Sequence, residues 1–133
     1  MKRRTFLSMV AGLTLVPSLL FAQTNLMYTD GLIQKHLDEG KSVFVDYAAD
    51  WCGTCRLQGQ LISQLRDRNP EYDKNIVFVT VDWDAYSTHD VTSSRNVPRR
   101  STLLMLKGEE ELGRIVAGID INEIKELLDK GLN

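Results

Sequence analysis

The chain has only two cysteines, Cys52 and Cys55, which stand two residues apart in the stretch ADWCGTCRLQ. A pair with this spacing can bind a metal ion, remain an inert pair of thiols, or form and break a disulfide. The first turn of a helix stabilises a thiolate, because its unpaired backbone N–H groups carry partial positive charge. The chemistry of the pair therefore depends on whether Cys52 begins a helix.

The segments around the cysteines predict a strand followed by a helix. Residues 42–49 are an apolar run rich in β-branched and aromatic residues, which is typical of a buried strand. After the cysteines, apolar residues follow helical spacing at Leu57, Leu61, Ile62 and Leu65. The helix should end before Pro70. We expect Cys52 to be an accessible nucleophile with a lowered thiol pKa, and Cys55 to point inward and resolve mixed disulfides.

The remaining pattern predicts one α/β domain. Further strands are predicted at residues 75–82, 102–106 and 112–117, and helices at 29–39, near 88–95 and after the cap Asn122. The unit that joins the first two strands has the size of a parallel crossover, and the short turn between the last two makes them antiparallel. We expect a central mixed four-stranded sheet with helices on both faces.

The N-terminal segment predicts export. A basic cluster, residues 2–4, precedes an apolar run at 9–21, and Ala22 closes a small-residue cleavage site, as in a secretory signal peptide. The run of about 13 residues is shorter than the roughly 20 that a membrane-spanning helix needs. The letters KRRTFLS resemble a twin-arginine export signal. We expect residues 1–22 to be cleaved and residues 23–133 to form a periplasmic domain; an uncleaved anchor and the Sec route are the alternatives.

Charge and length limit the possible functions of this domain. The net charge is −2, and removal of Lys2, Arg3 and Arg4 leaves −5. Nucleic-acid binding is not expected, because it usually needs a strongly basic face. The mature chain can form one compact core but not two domains, and we expect a monomer. A disulfide between Cys52 and Cys55 would close too short a loop to contribute much stability, which disfavours a purely structural bridge.

The stretch FVDYAADWCGTC resembles the active site of the thioredoxin family, in which an apolar strand and an aspartate precede Trp-Cys-x-x-Cys. The resemblance extends over about residues 29–132. It implies a thioredoxin-like fold and a thiol–disulfide oxidoreductase that acts on protein disulfides without a bound cofactor. By this resemblance Cys52 is the nucleophile, Cys55 is the resolving thiol, and Asp46 is the buried acid that exchanges a proton with Cys55.

Several neighbouring residues bear on how such a site would work. Asp46 interrupts an apolar strand, and burial should raise its pKa towards the range useful for proton transfer. Trp51 is expected either to form an apolar lip beside the cysteines or to pack in the core. Gly53 and Thr54 place no cation between the sulfurs, which favours a reductant over a strong oxidant. A periplasmic reductant also needs an electron donor, which we expect in the membrane.

Two positions depart from the family pattern. Ser101 and Thr102 stand where the family usually has a cis-proline followed by threonine. We expect a trans peptide bond before Ser101, because a cis bond before a non-proline residue costs about 2.5–4 kcal/mol. Thr80 stands where many thioredoxins have a lysine near the buried acid. The residues expected to contact substrate are Trp51, Gly53, Thr54, Arg100 and Ser101.

A metal or Fe–S carrier is the alternative class of function. A mononuclear zinc site typically needs four ligands. The histidines His36 and His89 lack metal-like spacing relative to the cysteines. Two chains could still bridge a metal or cluster through Cys52 and Cys55, and Ser101 could leave the sulfurs less shielded than proline would. Metal content of the purified protein would separate this carrier from a redox enzyme.

The paired arginines lead to a prediction about export. Changing Arg3 and Arg4 to lysine should leave uncleaved precursor in the cytoplasm, because the twin-arginine route requires both guanidinium groups. Cell fractionation and precursor size measure the effect. Normal export of this variant would instead assign the chain to the Sec route.

Overall fold

A computed structural model of the chain describes Gly12 and residues 23–133; apart from Gly12, the predicted signal peptide lies outside the described residues. The described part holds five strands and six helices. In chain order they are β1 Leu26–Met27, α1 Leu32–Asp38, β2 Ser42–Ala48, α2 Gly53–Arg68, α3 Glu71–Asn75, β3 Ile76–Asp82, α4 Trp83–Tyr86, α5 Asp90–Ser93, β4 Thr102–Lys107, β5 Glu110–Val116 and α6 Ile121–Lys130. Within residues 23–133, no helix has the length and apolar character needed to cross a bilayer.

The strands form one mixed sheet in the order β1-β3-β2-β4-β5. Strands β1, β3 and β2 are parallel, whereas β4 runs antiparallel to both β2 and β5. The predicted α/β fold and mixed sheet are confirmed, but the sheet has five strands rather than four. The added strand, β1, has two residues, which pair with Val79 and Thr80. So short a segment has no alternating pattern that could have predicted it.

Alternation along the central strand β2 divides the core into two layers. Its residues Val43, Val45 and Tyr47 pack with α1 and α5, whereas Phe44 packs with α2, α3 and α6 on the opposite face. Asp46 points to the same face as Phe44, since the two residues are two positions apart. The strand therefore directs a carboxyl group towards α2, the helix that begins at the cysteines.

Helix α2 begins at Cys52, as predicted. The Cys52 side chain occupies the N-cap position, and its sulfur accepts a hydrogen bond from the backbone N–H of Cys55 at 3.2 Å. The helix ends at Arg68, and Asn69 is extended because Pro70 follows it. The strand–helix junction thus places Cys52 at the N-cap and Cys55 in the first turn of α2, where the Cys55 N–H points towards the Cys52 sulfur.

Three details of the helices differ from the sequence-based expectations. The helix expected near residues 88–95 is only the four-residue α5, and neither α3 nor α4 was predicted. The cap of α6 is Asp120 rather than Asn122: its carboxylate accepts from the N–H groups of Asn122 and Glu123 at 2.7 and 3.4 Å. Aspartate and asparagine are comparable caps, so residue preference alone could not decide between the two positions.

A buried arginine ties the start of the described chain to α2. The Arg66 guanidinium donates to the carboxylate of Asp73 at 2.6 Å, to the Asn25 side chain at 2.5 Å and to the Thr24 carbonyl at 3.2 Å. Its central carbon also lies 3.8 Å from the centre of the Phe78 ring. A buried charge is tolerated when it is paired and hydrogen-bonded in this way. The contacts fix the segment before β1 against the helix that carries the cysteines.

Candidate active site

Cys52 and Cys55 form a disulfide, with their Cα atoms 5.3 Å apart. Each cysteine is only 4 % exposed. The two cysteines are equally buried in this disulfide, and the expectation that Cys52 is the more accessible thiol in the reduced protein stays a prediction. The Ser101 hydroxyl oxygen lies 3.2 Å from the Cys52 sulfur and 3.1 Å from the Cys55 sulfur. One side chain thus contacts both reacting atoms.

Ser101 has an unusual backbone conformation. The peptide bond before it is trans, in agreement with the prediction, and its φ is +64°, in the left-handed region. This conformation costs roughly 1–2 kcal/mol for a residue with a side chain. Hydrogen bonds hold it in place: the Ser101 N–H donates to the Tyr47 carbonyl at 2.7 Å, and the Ser101 carbonyl accepts from the Ala117 N–H at 2.8 Å. The loop is thereby fixed between β2 and the end of β5.

A proline would not fit this conformation. Proline fixes φ near about −65° and has no N–H, whereas Ser101 has a positive φ and uses its N–H as a donor to Tyr47. The loop at Ser101 therefore has a different backbone conformation from a loop that holds a proline at this position. The difference is more than a change of side chain. Both main-chain groups of Ser101 are engaged within the protein, and the assignment of Ser101 as a substrate-contacting residue stays a prediction.

Gln58 supports the same loop and was missed from the sequence. Its side chain is fully buried, and its amide nitrogen donates to the carbonyls of Ser101 and Gly118 at 3.1 and 2.9 Å. It lies three residues after Cys55 and four before Ile62, on the buried face of α2. Leu57, expected on that face, is 39 % exposed. Helical spacing counted from Cys55 could have found Gln58, but apolar spacing alone selected the neighbouring leucine.

Asp46, the expected buried acid, is half-buried on β2, and its role in proton transfer stays a prediction. It borders a pocket of about 310 Å³ below α2, yet its Oδ1 atom is enclosed and has no hydrogen-bond partner among the described residues. Desolvation raises the pKa of this carboxyl to about 7. Its register partner on β3 is Thr80, so the position of the family's usual lysine carries no charge. Asp46 can therefore exist in either protonation state near neutral pH, as a proton-transfer group requires.

Trp51 is a lip beside the disulfide and not part of the core. Its side chain is 57 % exposed, and its indole N–H donates to both carboxylate oxygens of Asp84 at 3.0 Å. The Arg100 guanidinium carbon lies 4.5 Å from the centre of the indole ring, a cation–π geometry. Gly53 is exposed and Thr54 half-buried in the first turn of α2. These predicted substrate-contacting residues thus lie close to Cys52 in the chain or in space.

The histidines lie in structural positions away from the cysteines. His36 faces Glu39 at 3.6 Å, and His89 caps α5 and contacts Asp30 at 3.0 Å. Within residues 23–133, no three or more His, Cys, Asp or Glu side chains are grouped as metal ligands. A metal held by the two cysteines would therefore need ligands from outside this part of the chain.

A pair of cysteines at a helix N-terminus, next in the chain to a strand that carries a carboxyl group with a pKa of about 7, is suited to thiol–disulfide exchange. The fold and the site together define a thioredoxin-like oxidoreductase. The thioredoxin family model matches residues 15–130. The chain therefore belongs to the thioredoxin family, and it is a thiol–disulfide oxidoreductase with Cys52 and Cys55 at the family's Cys-x-x-Cys position.

The chain is similar to thioredoxins from several organisms. The chain is 28 % identical to a thioredoxin of Chlorobaculum thiosulfatiphilum over 71 % of its own length and 82 % of that protein. It is 27 % identical to the mitochondrial thioredoxin-2 of Schizosaccharomyces pombe over 85 % and 80 % of the two chains. Among solved structures, thioredoxin NaTrxh of Nicotiana alata has a TM-score of 0.63 at 28 % identity, covering 80 % of this chain and 91 % of that one.

The raised pKa of Asp46 makes stability depend on pH. The folded protein holds a proton on Asp46 up to about pH 7, whereas an unfolded aspartate loses it near pH 4. Raising the pH through this window therefore destabilises the folded state. Relative to Asp46→Asn, the oxidised wild type should lose up to about 4 kcal/mol of unfolding free energy between pH 4 and pH 8.

Urea denaturation of the oxidised proteins at several pH values measures this effect. Asp50→Asn, which removes an exposed carboxylate near the site, is the matched control and should follow the wild-type curve. Parallel pH profiles for wild type and Asp46→Asn would show that Asp46 does not carry the proton assigned to it.

Proposed function

We propose that the chain is a periplasmic reductant of protein disulfides. The observation that carries the proposal is the Cys52–Cys55 pair in the first turn of α2, with only Gly53 and Thr54 between the sulfurs. Strong oxidants of this class owe their potential to a strongly stabilised reduced form. Here the helix N-terminus supplies partial charge, but the two intervening residues supply none, which favours a reducing pair.

In the proposed direction, the reduced enzyme begins the reaction with a Cys52 thiolate. The thiolate attacks a substrate disulfide, so a bond forms between Cys52 and one substrate sulfur, and the other substrate sulfur leaves as a thiolate. Cys55 then gives its proton to the Asp46 carboxylate and attacks the Cys52 sulfur. The Cys52–Cys55 disulfide forms, and the second substrate sulfur leaves with the electron pair of the broken bond.

Each cycle leaves the enzyme oxidised, so its function requires a supply of two electrons and two protons. We infer that residues 1–22 export the chain and are removed near Ala22, and that residues 23–133 act in the periplasm as a monomer. That compartment is oxidising, and no soluble glutathione pool maintains a reducing potential there. A membrane-bound electron donor is the proposed source of the electrons, and the same Cys52 site would accept them.

A trapping experiment tests the proposed function in cells. Cys55→Ser should accumulate mixed disulfides with its substrates in the periplasmic fraction, because attack by Cys52 survives and resolution does not. Cys52→Ser lacks the attacking thiol and should capture little. Non-reducing electrophoresis and mass spectrometry of the affinity-purified protein identify the adducts.

The double variant Cys52→Ser/Cys55→Ser controls for non-covalent association. Equal trapping by the two single variants would contradict the division of roles between the cysteines. Adducts found only in the cytoplasmic fraction would contradict the proposed compartment and leave the exchange chemistry intact.

A further inference from the structure

The Ser101 hydroxyl lies beside both active-site sulfurs, yet the exchange reaction described above assigns it no role. Its oxygen is nearly equidistant from the two sulfurs, at 3.2 Å from Cys52 and 3.1 Å from Cys55. Neither sulfur of a disulfide carries a hydrogen atom. In the oxidised protein Ser101 is therefore the donor in these contacts, and one hydroxyl serves two reacting atoms.

The surrounding backbone prevents this hydroxyl from moving away. Ser101 is fully buried, its N–H is bound to the Tyr47 carbonyl, and its carbonyl accepts from Ala117 and Gln58. The positive φ of +64° is held by these bonds, although Ser101 has a side chain that disfavours it. A donor fixed in this manner needs no reorganisation when negative charge develops on a sulfur.

We propose that Ser101 is a catalytic residue of disulfide exchange, whose hydroxyl donates to whichever active-site sulfur carries the negative charge. In the reduced enzyme the acceptor is the Cys52 thiolate. After Cys52 has formed the mixed disulfide, Cys55 is deprotonated, and the hydroxyl donates to the Cys55 thiolate until that sulfur attacks. Ser101 keeps its own proton throughout. The inference rests on the exchange chemistry of the family and not on the compartment or direction of the reaction.

Other groups near the sulfurs also influence the Cys52 pKa, so a test of Ser101 must leave them unchanged. The Cys55 N–H donates to the Cys52 sulfur. Charged groups lie around the site on several elements: Arg100 on the loop before β4, which contacts Trp51, and, around the groove that Cys55 borders, Asp50, Arg56 and Asp82. Asp46 on β2 borders a separate pocket below α2. Variants that change only the Ser101 side chain leave all of these in place. A difference in Cys52 reactivity between such variants therefore reports the hydroxyl.

The test measures the thiol pKa of Cys52 in the reduced, purified protein. The rate of alkylation by iodoacetamide is followed as a function of pH, and mass spectrometry confirms that Cys52 is the modified residue. A hydrogen bond to a charged group is strong enough that Ser101→Ala should raise the Cys52 pKa by about one unit. Below the pKa, alkylation should then be about tenfold slower. The reduction potential should become more negative by about 30 mV, the equivalent of that tenfold change.

Two further variants separate the hydroxyl from the fold of the loop. Ser101→Gly also removes the oxygen, but it suits a positive φ, so it should fold well and show the same rise in pKa as Ser101→Ala. Thr102→Val removes the adjacent buried hydroxyl, which donates to the Arg99 carbonyl at 2.7 Å and not to a sulfur. This matched control should keep the wild-type pKa of Cys52.

The proposal is overturned if folded Ser101→Gly retains the wild-type Cys52 pKa and reduction potential. It is equally overturned if Thr102→Val shifts both values as far as Ser101→Ala does, because the effect would then come from loop packing. Neither result would affect the trapping experiment with Cys55→Ser, so failure of this inference is distinguishable from failure of the proposed function.

Discussion

The hydrogen bonds that fix the Ser101 loop over the first turn of α2 are the constraint on which the active site depends. The Tyr47 carbonyl on β2 and the Ala117 N–H after β5 hold the backbone of Ser101, and Gln58 on α2 binds it from the helix. Three elements thereby meet at one residue. If that junction were lost, the helix N-terminus would still favour a thiolate, but the sulfurs would lose their shared donor.

The Asp46 carboxyl group, in contrast, lowers the stability of the folded protein. Asp46 lies on the central strand, and its enclosed oxygen has no hydrogen-bond partner among the described residues. Burial of an unpaired carboxyl group is costly, and the protein reduces that cost by keeping the group protonated up to about pH 7. The same shift brings the pKa of this carboxyl into the range useful for proton transfer. Thr80 on the adjacent strand adds no charge that would alter this balance.

Much of the fold could be predicted from the sequence, because long buried strands and the cysteine helix have clear patterns. The strand–helix junction at Cys52 and the raised pKa of Asp46 followed from residue type and order. Features that depend on tertiary contacts could not be predicted. The two-residue strand β1 has no periodicity, and the left-handed conformation of Ser101 is imposed by bonds to β2 and α2. The burial of Gln58 likewise depends on the loop that it supports.

An equilibrium redox titration of the Cys52–Cys55 pair tests the central claim most directly. Cys52 lies at a helix N-terminus, where its sulfur accepts a hydrogen bond from the Cys55 N–H, and the two residues between the sulfurs carry no cation. The account therefore predicts a reduction potential closer to that of thioredoxin, about −270 mV, than to that of a strong periplasmic oxidant, about −120 mV. A value near −120 mV would contradict a reductant and assign the chain to disulfide formation.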